Sequence, residues 1–130
     1  ARPLYDLLLP YPERNCLWGS GFIVYGPTSR FLGMLATMSG EPDRAIDHLE
    51  HALERSHELH SPPLVARVRT ELARALLARQ AEGDDDRARS LLDQARRTAT
   101  ELEMPGLTQD TTHLLATASE RDARTVPDAP

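Results

Sequence analysis

Four of the five histidines, His48, His51, His57 and His60, fall in one short stretch interleaved with Glu50, Glu54 and Glu58. Imidazoles and carboxylates spaced by three or four residues on a helix are a donor set that zinc takes. Yet His57-Glu58-Leu59-His60 lacks the HExxH interval that sets two imidazoles one turn apart beside a catalytic glutamate. An apolar stripe at 45, 46, 49, 52 and 53 turns His48 and His51 outward, so the cluster reads as a solvated helix face, capable at most of weak adventitious metal binding. Gly19-Ser20-Gly21, followed by Gly26, is a poor phosphate loop: its third glycine comes late, no clear strand precedes it and no Lys-Ser/Thr follows. Asp84-Asp85-Asp86 lacks the ligand spacing and closing glutamate of a calcium loop and reads as a helix N-terminal cap that complements the dipole. Cys16 has no histidine partner in sequence and reads as a buried or idle thiol. The residues therefore point to no catalytic group, no metal centre and no cofactor.

Composition narrows the classes further. All fifteen basic residues are arginine, which excludes P-loop, Schiff-base and general-base lysines from this chain. Arginine without lysine, with abundant Ala, Pro and Asp, points to a GC-rich bacterial genome. A net charge of -5 argues against a dominant nucleic-acid role, while leaving room for a local basic strip. No apolar run reaches the roughly 18 residues of a membrane span, and no secretory signal is visible. A single cysteine excludes an internal disulfide and fits a cytoplasmic home. The start at Ala1 and the Pro-punctuated stretch 125–130 lead to the expectation of a segment excised or processed from a longer protein.

The elements that must position any site are helices: apolar residues are 40% of the chain, mostly Leu and Ala, and aromatics only 5%, a balance that suits packed helices rather than a sheet. A short helix carries Leu4, Leu7 and Leu8, and residues 13–26 read as a Gly-containing loop with at most a brief extended piece. From Pro27 a helix runs to about Met38 with Phe31, Leu32, Leu35 and Met38 on one side. The next opens at Glu41-Pro42-Asp43 and buries Ala45, Ile46, Leu49, Ala52, Leu53 and Leu59. A second pair follows: Val65, Val68, Leu72, Ala75 and Leu76, then Ala88, Leu91, Leu92, Ala95, Ala99 and Leu102. A last helix from about 108 to 123, with Leu114, Leu115 and Ala118, has the weaker stripe of an end cap. Ala45, Leu49, Ala52 recur as Ala88, Leu92, Ala95, forty-three residues on. Small residues at fixed helical spacing let a neighbouring helix approach closely, the signature of repeated helix pairs.

Leu32-Gly33, Ala36, Ala45, Leu49 and Ala52 fall on the preferred apolar and small positions of a tetratricopeptide repeat, which the first pair resembles. The second pair matches with Leu72-Ala73, Leu76, Ala88, Leu92 and Ala95 across a turn three residues longer. Neither carries the repeat's usual aromatics or closing proline in register, so the resemblance, over about 27 to 103, is to divergent repeats. Leu4-Tyr5 to Pro10-Tyr11, Gly26-Pro27 to Leu32-Gly33, Leu35-Ala36, Ala45 to His48 with Glu50, Ala52-Leu53, and Ala73 to Gly83-Asp84 also resemble the C-terminal helical region of large actinobacterial AAA-ATPase/cyclase-like or LuxR-type regulators. That resemblance implies a regulatory or scaffolding segment. The expected fold is all-α, a tetratricopeptide-like right-handed stack of antiparallel helix pairs with a terminal capping helix. Residues 1–26 would form a leading helix and loop, 27–123 the repeat domain and 124–130 a disordered tail.

In such a stack the first helix of each pair lines the concave face. Aligning Leu32-Gly33 with Leu72-Ala73 places Arg30, Met34 and Thr37, then Arg67, Thr70 and Arg74, at the outward positions. Three arginines around a methionine suit an acidic peptide or a carboxylate, because Arg grips carboxylates in bidentate geometry. The competing reading is that they solvate their helices or pair with Glu71 and nearby acids. The expected function is non-catalytic binding of a protein or peptide, including another domain of the same polypeptide, within a bacterial signalling or transcription-regulating protein. A sensor that takes a small anion in the arginine groove is the alternative, and a metal-dependent enzyme built on the histidines ranks third. The Leu4, Leu7, Leu8 side offers a surface for homodimerisation.

Overall fold

The structure, a computed structural model, describes residues 2–12, 14–18 and 23–125. Helix α1 (Arg2–Leu8) leads into strands β1 (Asn15–Trp18) and β2 (Ile23–Pro27), followed by α2 (Thr28–Met38), α3 (Pro42–Glu58), α4 (Pro62–Arg79), α5 (Asp84–Glu101) and α6 (Pro105–Thr125). The fold is all-α in its core, as its Leu- and Ala-rich periodicity requires. The segment expected as a loop instead forms an antiparallel ribbon, with Asn15 opposite Pro27, Trp18 opposite Ile23 and an irregularity between Cys16 and Leu17. The ribbon delivers the chain to α2, whose first N–H groups have no partner within the helix. Thr28 N–H donates to the Arg14 carbonyl at 2.6 Å and Ser29 N–H to the Pro12 carbonyl at 3.1 Å, so backbone caps this helix where Pro27 has no side-chain cap to give. The phosphate-loop candidates Gly19, Ser20 and Gly21 lie outside the described residues, as does the tail beyond Thr125.

Helices α2 to α6 pack each on the next, and α2 also packs on α4 and α4 on α6. The main apolar core runs through the stack, with Leu32, Leu49, Leu72, Leu76 and Leu92 fully buried, and a smaller cluster gathers Ala66, Ala95, Ala99 and Leu107. Both small–large–small triplets are buried without residual exposure, which is what close helix approach demands. The closest approach is at Gly33: a β-carbon there would lie 2.7 Å from Leu49 Cδ2, inside van der Waals contact, so only glycine lets α2 settle on α3. In the second pair the equivalent residue is Ala73, also fully buried.

Several apolar expectations are corrected. Met38, Leu59 and Leu102 are exposed because each sits in the last turn or just beyond the end of its helix, where the stripe has rotated off the core. Helix α6 begins at Pro105 and is the capping helix expected, packed on α5 and α4 in the place of a first helix of a third pair. Leu8 packs inward, leaving Leu4 and Leu7 as the exposed leucines of α1. His48 and His51 are half-buried, contrary to the outward placement. Tyr5 of α1 lies across His48, its ring edge-on at 5.6 Å and its hydroxyl 2.9 Å from Nε2.

The acidic turn complements the dipole, with Asp84, Asp85 and Asp86 all in the first turn of α5, but it supplies no side-chain cap. Gly83 holds the N-cap position and no side chain caps α5. Asp84 instead accepts from Arg79 Nε and Nη2, both at 2.8 Å, and from Ala81 N–H at 3.0 Å, tying the end of α4 to the start of α5. The Arg79 hydrogen bonds hold the Asp84 carboxyl below its ordinary range. Arg79 also reaches Asp43 at 3.3 Å, at the start of α3.

Candidate partner-binding groove

Because α2, α4 and α6 are the first helices of successive pairs and pack side by side, their free faces lie along one side of the stack, the candidate groove. Two shallow pits mark it. One, of about 130 Å³, is lined by Met34, Thr37, Met38, Glu71 and Arg74. The other, of about 80 Å³, is lined by Arg67, Thr70, Glu71, Arg74, Leu107 and Asp110. Glu71 and Arg74 belong to both, so the α4 face is the septum between them. Five of the six positions expected from the sequence line these pits, and the sixth, Arg30, is bonded to Glu71 at the centre.

Arg30 is not a free cation. Its Nε donates to both Glu71 carboxylate oxygens at 3.0 Å and its Nη2 to Oε1 at 2.7 Å, with both side chains only 13% exposed. The guanidinium also lies 5.3 Å from the centre of the Phe31 ring. Burial pushes the Glu71 carboxyl above its ordinary range, against the opposing pull of Arg30 and then of Arg74 and Arg67. Here the competing reading of the arginines holds: Arg30 links α2 to α4 inside the stack.

Arg67 and Arg74 are exposed, and neither forms an ion pair with any described residue. The threonines contribute shape more than hydrogen bonds. Thr37 Oγ1 donates to the Gly33 carbonyl at 3.0 Å and Thr70 Oγ1 to the Ala66 carbonyl at 2.9 Å, each one turn back, and Thr70 is buried. The groove thus offers a neutralised buried floor at Arg30–Glu71, apolar walls at Met34, Met38 and Leu107, and two guanidinium groups at its edge. Such a surface can grip carboxylates and seat apolar side chains between them.

Sequence reasoning missed Met38, Leu107 and Asp110. The last could have been found: Asp110 stands forty-three residues after Arg67, the interval that relates Ala45 to Ala88. Reading α6 as a cap hid its continuation of the groove. Among the described residues, no group of three or more His, Cys, Asp or Glu side chains could hold a metal ion, and no helix is long and apolar enough to cross a membrane.

No curated protein and no solved structure matches the chain. The sequence profile of the tetratricopeptide repeat does match, over residues 27–101, which runs from the end of β2 to the end of α5 and covers more than half of the sequence. Proteins built from this repeat are generally non-catalytic and mediate protein–protein interaction. With its paired helices, buried small residues and shared first-helix face, the chain belongs to the tetratricopeptide-repeat family.

Proposed function

We propose that this chain is a non-catalytic interaction module of a larger cytoplasmic bacterial signalling or transcription-regulating protein. It takes an acidic, extended segment of a protein partner, or of another domain of its own polypeptide, in the α2–α4–α6 groove. The observation that carries this reading is the pair of exposed, unpaired guanidinium groups of Arg67 and Arg74 beside pits with apolar walls. Arg67 and Arg74 grip carboxylates of the partner, while Met34, Thr37 and Thr70 shape the pits and Arg30 holds the floor. Two neighbouring pits with apolar walls, each of a size for one side chain, favour a peptide over the small-anion alternative, which would use a guanidinium and leave the apolar walls idle.

The test is site-specific photo-crosslinking in the native cell from position 37, inside the groove, and from position 94, on the exposed face of α5. A partner captured from position 37 but not from 94, and lost in the Arg67→Glu/Arg74→Glu double variant, supports the proposal. Capture that the double variant leaves intact contradicts it. Arg30 is left out of the reversal, because a glutamate there would face Glu71 and unfold the stack. Self-association through Leu4 and Leu7 of α1 is a separate proposal. Sedimentation of the wild-type chain against Leu4→Glu/Leu7→Glu checks it, with a concentration-dependent dimer that the variant abolishes.

A further inference from the structure

Outside the groove, two cavities exceed its pits in volume, one of about 500 Å³ at the α5–α6 turn and a smaller one at the α3–α4 turn. About 360 Å³ lies beneath the α3–α4 turn, lined by His57, His60, Ser61, Pro62, Val65 and Arg69, and closed on the α5 side by Thr98. The turn itself makes this space, since His60 takes a left-handed backbone conformation with φ 51° and lifts the chain off α4. The same turn recurs forty-three residues on, where Glu103 has φ 54° and a second cavity opens. The two cavities share five equivalent lining positions and differ in chemistry. His57, His60, Ser61 and Val65 correspond to Thr100, Glu103, Met104 and Thr108, and Arg69 to Thr112. Only the first gathers two imidazoles and a guanidinium, and no acid lines it.

Thr98 Oγ1 is committed to the Gln94 carbonyl at 3.1 Å, while the polar groups of α4 and the turn have no such bond among the described residues. Arg69 is half-buried and forms no ion pair with any described residue. Ser61 stands at the N-cap of α4 yet makes no side-chain cap bond, and the prolines at 62 and 63 have no N–H to donate to it. The nearby carboxylate of Glu58 is engaged by Arg55 at 2.6 Å. The last carbonyls of α3 are occupied as well: those of Arg55, Ser56 and His57 accept from Leu59, Ser61 and His60 N–H. What remains facing the cavity is one guanidinium, two imidazoles and a hydroxyl, each able to donate a hydrogen bond, in a chain whose net charge is -5.

We propose that this cavity binds a phosphate monoester. Arg69, His57 and His60 hold the phosphate oxygens, the Ser61 hydroxyl donates a further hydrogen bond, and Pro62 and Val65 receive the organic part. A phosphate offers three acceptor oxygens and up to two charges, matching several donors that converge from a turn and a helix better than a carboxylate does. A bare phosphate would leave much of the volume empty, which favours an ester over the free ion. A metal ion is the poorer occupant, since no third ligand joins the two imidazoles among the described residues. This site is separate from the groove and does not depend on it.

The experiment follows the His57 and His60 ring resonances of the whole chain by NMR. The titrants are inorganic phosphate, glucose 6-phosphate, and a phosphoserine peptide beside its unphosphorylated form. Saturable shifts with phosphate, weakened about tenfold or more in Arg69→Gln and again in His57→Gln but unchanged in Arg67→Glu/Arg74→Glu, support the proposal. Tighter binding of glucose 6-phosphate assigns the site to a free metabolite. Tighter binding of the phosphopeptide, with none by its unphosphorylated form, assigns it to a phosphorylated chain. No saturable shift with any phosphate, or shifts that Arg69→Gln leaves intact while its melting curve shows it folded, overturn the proposal.

Discussion

Arg30 on α2 and Glu71 on α4, forty-one residues apart in sequence, form a three-bond ion pair at the centre of the groove, with Nη2 2.7 Å from Oε1. It joins the first helices of two successive repeats and fills the floor on which Arg67 and Arg74 stand. Removing Arg30 would leave a mostly buried carboxylate without its strongest partner. Arg30→Ala is expected to cost about 1–3 kcal/mol near neutral pH, below the range for a fully buried pair because some solvent reaches both groups. Glu71 holds its proton above the ordinary range, so its contribution to stability is full below that range and is lost as pH rises through its folded pKa. The cost of Arg30→Ala should therefore shrink as pH falls and Glu71 protonates, and Glu71→Gln should abolish that dependence. Urea unfolding from pH 4 to 8 checks both.

Asp84 titrates with the opposite sign. Its carboxyl is held below the ordinary range by Arg79, so the stability it supplies is present above that range and is lost as pH falls through its folded pKa. Asp84→Asn should cost about 1 kcal/mol at neutral pH through its weakened hydrogen bonds. The wild-type and variant curves should converge in acid, and parallel acid unfolding shows whether they do.

The fit of Gly33 against Leu49 predicts that Gly33→Ala destabilises, although alanine is the better helix former. The added methyl has to displace Leu49, and overpacking of this kind costs about 1–3 kcal/mol. In a double-mutant cycle with Leu49→Ala, part of that loss should disappear, because the truncated side chain no longer meets the methyl.

How legible the fold was follows from where its information lies. Leu32, Leu49, Leu72 and Leu92 sit on unbroken 3.6-residue stripes, so the five packed helices and their pairing could be read from periodicity alone. The ribbon at Asn15–Trp18 and Ile23–Pro27 could not be, because its strands are short and glycine-rich at their junction. The groove positions emerged once Leu32 was aligned with Leu72. The Arg30–Glu71 pair was one of two readings the residues allowed, and only the packing of α2 on α4 decides between them. The cavity at His57, His60 and Arg69 was invisible for a different reason. It depends on a left-handed residue at His60, which no side-chain pattern announces.

Tyr5 and His48 are expected to make the docking of α1 sensitive to acid. Burial lowers the His48 pKa below its ordinary value, so the stability it contributes is present above that value and is lost as pH falls through its folded pKa. Asp47, Arg44 and His51 act on the same imidazole, and Asp47 opposes the shift. Neutral His48 can accept from the Tyr5 hydroxyl at 2.9 Å, whereas the imidazolium can only donate to the phenol oxygen and brings a charge into a half-buried site. Amide hydrogen exchange in α1 should quicken at low pH, and Tyr5→Phe should quicken it already at neutral pH.

The central claim is that the groove selects acidic segments through Arg67 and Arg74. Its most direct test is selection of a random peptide library on the wild-type chain and on Arg67→Glu/Arg74→Glu in parallel, at low and at high salt. The account predicts peptides enriched in Asp and Glu with interspersed apolar residues, binding that falls as salt rises, and loss of that enrichment in the double variant. Enrichment without acidic character, or acidic peptides that bind the folded double variant equally well, would contradict it.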